Sequence, residues 1–461
     1  MTKVGKEELF RSVPVPRALA SMAIPTVISQ LINLIYNVVD TFFIGRTGNS
    51  YMVASVTVAF TIFMMTVALG NLFGIGGGSL ISRLMGQGQT QRARQVCAFS
   101  FYGAIAISLA YSLIIGLFLD PILRALGASD ATVGYARQYL WLTVILGTLP
   151  VVLSAVCGHL LRNVGYSRQA SFGLSGGGIL NIALDPLFMF VLLPDGWEVF
   201  GAALATLLSN VAACVYMLVT VKKVSKVAPL CMTPSPARSI LPEDRKGIFA
   251  VGVPSALLNA LFDIANVFLN ALMAAHGDLP LAAIGIVMKS ERLPTAINMG
   301  ICQGMLPIVA YNFASGDRER MNKTISFART CGLAVSLFCL IFFQLCAGPI
   351  CRLFMSTSGP HAQQAMETIS FAILFLRIRC FASPVQFMNF HTSFCLQAMG
   401  DGRGTLLHSV VRQLVFYIPF MYLFDRLFGL RGLVCSIIAG EACGALFATY
   451  LLRRWLKKSA A

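Results

Sequence analysis

The chain is poor in charge. Asp, Glu, Lys and Arg make up only 12% of its 461 residues, about half the share found in soluble domains. With 57% hydrophobic residues it lacks the polar surface that a water-soluble fold of this length requires. Short alternating apolar and polar runs do not dominate, which excludes a closed strand barrel. Ligand-spaced cysteine or histidine clusters are missing too. Most of the thirteen Cys sit inside apolar runs, where the thiol behaves as a small hydrophobe, and the five His are scattered. Neither a disulfide framework nor a zinc site follows, and no nucleophile or acid–base cluster converges as an enzyme would need. The glycine runs Gly74-Ile75-Gly76-Gly77-Gly78 and Gly176-Gly177-Gly178 lack a following Gly-Lys-Ser/Thr and a preceding strand. They read as close helix contacts rather than phosphate loops. The first apolar run is too long for a cleaved leader and has no small-residue cleavage site, so it is expected to stay as a span.

What the chain does have is twelve long apolar segments: 18–44, 51–76, 95–119, 133–157, 169–193, 199–221, 248–275, 280–311, 325–350, 363–395, 405–424 and 431–452. About 20 predominantly apolar residues suffice for one helical crossing. The expected fold is therefore an all-α integral membrane protein with about twelve transmembrane helices. The net charge of +16 fits loops better than nucleic acid, because the basic residues share no surface domain. Counting spans alternately, most Lys and Arg fall on one side, among them Arg11, Arg92, Arg94, Lys222, Lys223, Arg320, Lys323, Arg453 and Arg454. The positive-inside rule then places both termini in the cytoplasm.

The two halves repeat. Ala23-Ile24-Pro25 corresponds to Gly252-Val253-Pro254, and Gly86-Gln87-Gly88 with Arg92 to Ala314-Ser315-Gly316 with Arg320. Arg162-Asn163-Val164-Gly165 corresponds to Gln397-Ala398-Met399-Gly400, and Gly201-Ala202-Ala203 to Gly432-Leu433-Val434, at offsets running from 228 to 235 residues. A repeat of six spans returns to the same membrane side, so the halves share orientation about an axis along the membrane normal. The expected organisation is an N-lobe over 1–228, a cytoplasmic linker over 229–246 and a C-lobe over 247–461, with a central cleft between two pseudo-symmetric lobes.

Carboxylates inside apolar spans are expensive and usually face a cavity. In the first span Asn33, Asn37 and Asp40 share one helix face. In the fifth, Asn181 and Asp185 lie four apart and Pro186 follows, which frees the carbonyl of Ile182 and bends the helix. Thr206 adds a hydroxyl from the sixth span, with Asn210 one turn on. The N-terminal half holds no Lys or Arg deep in a span; Arg46, Arg83 and Arg137 lie near span ends, within reach of water. Two carboxylates without fixed basic neighbours would share a proton or accept a metal cation. The alternative is that both are permanently protonated structural residues.

In the C-terminal half Asn259, Asp263, Asn266 and Asn270 form another one-face stripe. Lys289, Glu291, Arg292, Arg377, Arg379 and Glu441 also fall inside apolar segments. Either mutual ion pairing or direct substrate and proton handling fits this set. Arg377 with Glu441 or Asp263 is the pair expected first. Lys289 and Glu291, two apart, do not face each other on a helix.

The segments Val39-Asp40-Thr41-Phe42-Phe43-Ile44-Gly45, Asn181-Ile182-Ala183-Leu184-Asp185-Pro186 and Gly300-Ile301-Cys302-Gln303-Gly304-Met305-Leu306-Pro307-Ile308-Val309, with Tyr311-Asn312 after the last, resemble the multidrug and toxin extrusion (MATE) family. The likeness is to its bacterial branch related to the DNA-damage-inducible exporters, and it covers roughly residues 16 to 456. The resemblance implies two six-helix lobes, alternating access, and export of amphipathic or cationic organic compounds in antiport with H+ or Na+ across a bacterial plasma membrane. It implies no cofactor beyond the coupling ion, no enzymatic activity, and a chain that works in the bilayer as a monomer. The family's N-lobe cation site, which would include any Na+, falls on Asp40, Asn181, Asp185 and Thr206. A C-lobe acid used by some relatives falls near Asp263. Lys289 and Arg377 fit only some branches and put sodium coordination in the C-lobe in doubt. The rival within the superfamily is a lipid-linked oligosaccharide flippase, disfavoured by twelve spans and an acidic N-lobe.

Overall fold

The computed structural model describes residues 7–47, 49–194, 196–354 and 362–458. Among them every regular element is a helix. Eight span-length helices, from Val15–Arg46 to Arg318–Leu353, begin or end near the loops expected from hydropathy, and several run well past the apolar core; the second span, Tyr51–Gly86, is one. Among the described residues ten helices are long and apolar enough to cross a bilayer, and a bent pair, Asp130–Leu146 with Thr148–Asn163, makes a further crossing. The last apolar stretch, Gly402–Leu456, is 55 residues long. As one helix it would extend about 80 Å, far more than the ~30 Å hydrocarbon core. It breaks at Gly429, whose φ of 58° and ψ of −148° are not helical, and so supplies the eleventh and twelfth spans. The total is the twelve expected.

Apolar side chains such as Leu113, Leu117, Phe338, Leu345 and Leu446 are more than 60% exposed on the outside of the bundle. Patches of that kind in a helical bundle face lipid rather than water.

The internal repeat is visible in the backbone. Gly165 (φ 88°) and Gly400 (φ 84°) end the fourth and tenth spans in the left-handed region, which glycine adopts without a Cβ penalty. The Tyr166 amide donates to the Leu161 carbonyl at 2.8 Å, and the Asp401 amide to that of Leu396 at 2.9 Å. The same helix-ending motif thus recurs at matching places in the two lobes. The polar joint between the lobes is packed, not free. Tyr102 donates to the Met232 carbonyl at 2.9 Å, and Leu230 and Ile240 enter the core of the N-terminal lobe.

The lobes meet at one end and part at the other. Spans one, two, seven and eight pack across the interface. The first span is buried at Ala18, Met22 and Ala23, while Ile35, Val38 and Phe42 are exposed. The eighth is buried from Gly300 to Asn312 except at the half-buried Gln303, while Lys289 and Arg292 are exposed. Glycines make the close end possible. A Cβ at Gly304 would collide with the Ala23 backbone, and one at Gly300 with that of Val27; the glycine run of the second span, at Gly76, is likewise set against the backbone of Gly252. The first and last described segments, around Leu9–Val13 and Trp455, lie at this closed end. Arg320 donates to the carbonyls of Phe10 (2.7 Å), Leu9 (3.2 Å) and Val13 (2.5 Å), and Trp455 packs on Phe313.

Candidate functional site

The fifth span presents Asn181 and Asp185 on one face because they are one helical turn apart. Pro186 then leaves the Ile182 carbonyl without its usual donor, and the backbone from Phe188 to Leu192 relaxes into a π-helical turn, a distortion common at functional sites. Asn181, Asp185 and Thr206 are each at most 1% exposed. The Asn181 side-chain amide donates to Asp185 Oδ1 at 3.2 Å and to Thr206 Oγ1 at 3.3 Å. Asp40 arrives from the first span, which packs along the fifth. Its Oδ1, Asp185 Oδ2 and Asn181 Oδ1 are all buried without a hydrogen-bond partner. Among the described residues no Lys, Arg or His forms an ion pair with either carboxylate. The arrangement is a set of hard oxygen ligands with unspent negative charge, suited to a proton or a small alkali cation.

Two residues of this pocket escape the sequence reading. Tyr36 and Tyr139 lie beside Thr206 and in the field of the two carboxylates. Tyr36 was signalled by its position one turn before Asp40; Tyr139, from the fourth span, carries no such mark. Asn37 spends its amide on the Asn33 carbonyl of its own helix, at 2.6 Å, and makes no hydrogen bond to the acids among the described residues.

The C-terminal lobe corrects the expected pairing. Glu441 is bound not by Arg377 but by Arg412, through two contacts of 2.6 and 2.9 Å, with both side chains 3% exposed. Asn389 donates to the same carboxylate at 2.7 Å, and His408 and Ser393 extend the network. Arg377 is exposed; its backbone carbonyl accepts from Gln344 and Cys380, and its guanidinium forms no ion pair among the described residues. The physical reason is helical phase. Arg379 points inward to grip Glu291 with two bonds of 2.9 Å, which turns Arg377, two residues away, outward. Arg412 lies inside the eleventh apolar segment and was open to the same inspection as the other intramembrane bases. Asp263 has Arg292 as its charged neighbour and is exposed, as are Lys289 and Asn270, while Asn266 is half-buried. The Asn259 side chain lies outside the described residues.

Comparison with known proteins adds the following. A family model described as MatE matches residues 25–187 and again 254–423, one match in each half. The "Multidrug export protein MepA" of Staphylococcus aureus (strain MRSA252) is 31% identical over 454 residues, covering 96% of this chain and 95% of the relative. The protein of the same name from Staphylococcus saprophyticus is 29% identical over 450 residues, with the same coverage. A crystal structure described as MATE in complex with MaL6 superposes over 100% of both chains with a TM-score of 0.91 at 25% identity. An outward-facing multidrug resistance MATE transporter of the MOP superfamily gives the same TM-score at 24% identity.

Proposed function

Because this chain is a member of the MatE family, we propose that it exports amphipathic, mostly cationic organic compounds from a bacterial cell in antiport with an inward-moving H+ or Na+. The observation that carries this reading is the pair Asp40 and Asp185, partly or fully buried with oxygens that no base neutralises. The MepA relatives, whose name states multidrug export, support the substrate class. The positive-inside distribution of Lys and Arg supports a plasma-membrane protein with both termini and the closed end in the cytoplasm.

With the pocket empty, its net negative charge attracts a cation from the open side. Filling the pocket cancels that charge and removes the reason for Asp40 to stay apart from Asp185, so the first span shifts. Its lower half is clamped to the eighth span through Gly300 and Gly304, whereas its upper half, bearing Asp40, is half-exposed. Pro25 lies within the clamped half, so the shift is confined to the part of the helix above it. Coupling requires that the drug bind the filled and empty states differently. The membrane potential supplies roughly 2.3 kcal/mol per net charge per 100 mV, equivalent to a ratio of about 50 for a neutral drug exchanged against one ion; a monovalent cationic drug exchanged one for one moves no net charge and draws on the ion's concentration gradient alone. Glu291 and Glu441, neutralised by arginines, hold the C-lobe together and carry no ion.

The test is efflux of a fluorescent lipophilic cation from vesicles containing the purified protein, under an imposed pH gradient and separately an imposed sodium gradient. Acceleration by one of them identifies the ion. Efflux indifferent to both removes antiport.

A further inference from the structure

At the closed end the two lobes enclose a small cavity between the fourth span (His159, Arg162, Asn163) and the C-lobe residues Gln303, Leu306 and Phe394. Arg162 is only 4% exposed. Its Nε is buried without a hydrogen-bond partner, and no carboxylate pairs with its guanidinium among the described residues. A guanidinium is always charged and carries five donors. Leaving it buried and unpaired is among the costliest arrangements a fold can hold. The cavity offers a second unpartnered atom, the side-chain oxygen of Gln303. Rotation of that amide by half a turn would present two donors instead. Asn163 is already committed: it donates to the His159 carbonyl at 2.9 Å and accepts from Ser82 at 2.8 Å. Asp244, a buried acid in the first turn of the seventh span, is taken by Arg92 at 2.6 Å.

We propose that this cavity binds one small inorganic anion of chloride size, held by the Arg162 guanidinium and the Gln303 amide, and that the site exists only while the lobes are joined at this end. The volume of about 10 Å³, the space open to the centre of a water-sized sphere, admits a single monatomic particle somewhat larger than water and leaves no room for phosphate or an organic acid. The walls come from both lobes, so parting them at this end dismantles the site. An anion that binds one arrangement only shifts the balance toward it. The state dependence rests on the alternating-access reading above; the binding itself does not.

Purified full-length protein would be heated in detergent with sodium chloride, bromide or gluconate at equal sodium concentration and ionic strength. Halide should raise the unfolding temperature of the wild type by a few degrees with a saturable dose curve. Arg162→Gln should lose that response, while Arg162→Lys keeps part of it. Asp185→Asn should keep the response in full, which separates this site from the coupling pocket. Identical unfolding temperatures in all three salts, or an undiminished halide response in Arg162→Gln, would show that the cavity holds only water and overturn the proposal. Should Arg162→Gln fail to fold, anomalous scattering from wild-type crystals grown in bromide decides: a peak beside Arg162 supports the site, and none removes it. Spin labels across the closed end test the second clause. Bromide should enrich the short distance, and an unchanged distribution despite binding would overturn the state dependence alone.

Discussion

Arg412 and Glu441 meet head-on inside the C-lobe, two guanidinium nitrogens against two carboxylate oxygens at 2.6 and 2.9 Å. The N-lobe acids Asp40 and Asp185 have no such partner: among the described residues no base pairs with either. That asymmetry between repeated halves divides the polar residues of the bundle into those that hold structure and those free to exchange an ion.

Removing one partner of a buried pair strands the other. Arg412→Ala or Glu441→Gln should therefore destabilise the folded protein by about 3–5 kcal/mol, seen as a lower unfolding temperature in detergent. The double replacement Arg412→Met with Glu441→Leu should recover most of the loss, since apolar side chains of similar size substitute for such pairs at little cost. Equal damage in the single and double variants would argue that the pair does more than neutralise itself.

Thr206→Ala deletes a hydroxyl that accepts from Asn181 at 3.3 Å and lies beside Tyr36 and Tyr139. A ligand oxygen of this kind contributes about 1.5 kcal/mol to a charged guest, so the driving-ion concentration for half-maximal efflux should rise about tenfold. The maximal rate should change much less. A variant with unaltered ion dependence would place Thr206 outside the site.

Pro186→Ala returns a backbone donor to the Ile182 carbonyl. The π-helical turn from Phe188 to Leu192 should shorten toward regular helix, with stability equal or higher and gradient-driven turnover lower. Hydrogen exchange at 182–192 is the measurement; unchanged protection there would mean that the proline does not cause the distortion.

Arg320 secures the N-terminal segment through three carbonyls. Arg320→Lys cannot reproduce that fork, so residues near Val13 should become open to proteolysis while the spans stay intact. Resistance equal to wild type would show that Trp455 and the apolar core hold the segment unaided.

Much of this was written in the sequence at the level of helices. Hydropathy marked the crossings because a lipid environment forces each to be long and apolar, and Gly165 and Gly400 betrayed the repeat. The N-lobe pocket was legible because Asn181, Asp185 and Pro186 obey helical spacing. Pairing in the C-lobe was not legible: whether Arg377 or Arg379 faces inward depends on the phase of a helix surrounded on several sides, and an apolar sequence hardly records that phase. Tyr139 was hidden for a similar reason, since one aromatic among many in an apolar span carries no mark of what it touches.

The central claim concerns energy coupling, and one comparison addresses it most directly. In vesicles loaded with a fluorescent cation, uphill movement driven by an imposed ion gradient and downhill drug-for-drug exchange would be measured for wild type, Asp40→Asn and Asp185→Asn. The account predicts that both variants keep exchange and lose uphill movement. Uphill movement at the wild-type rate in both would contradict it.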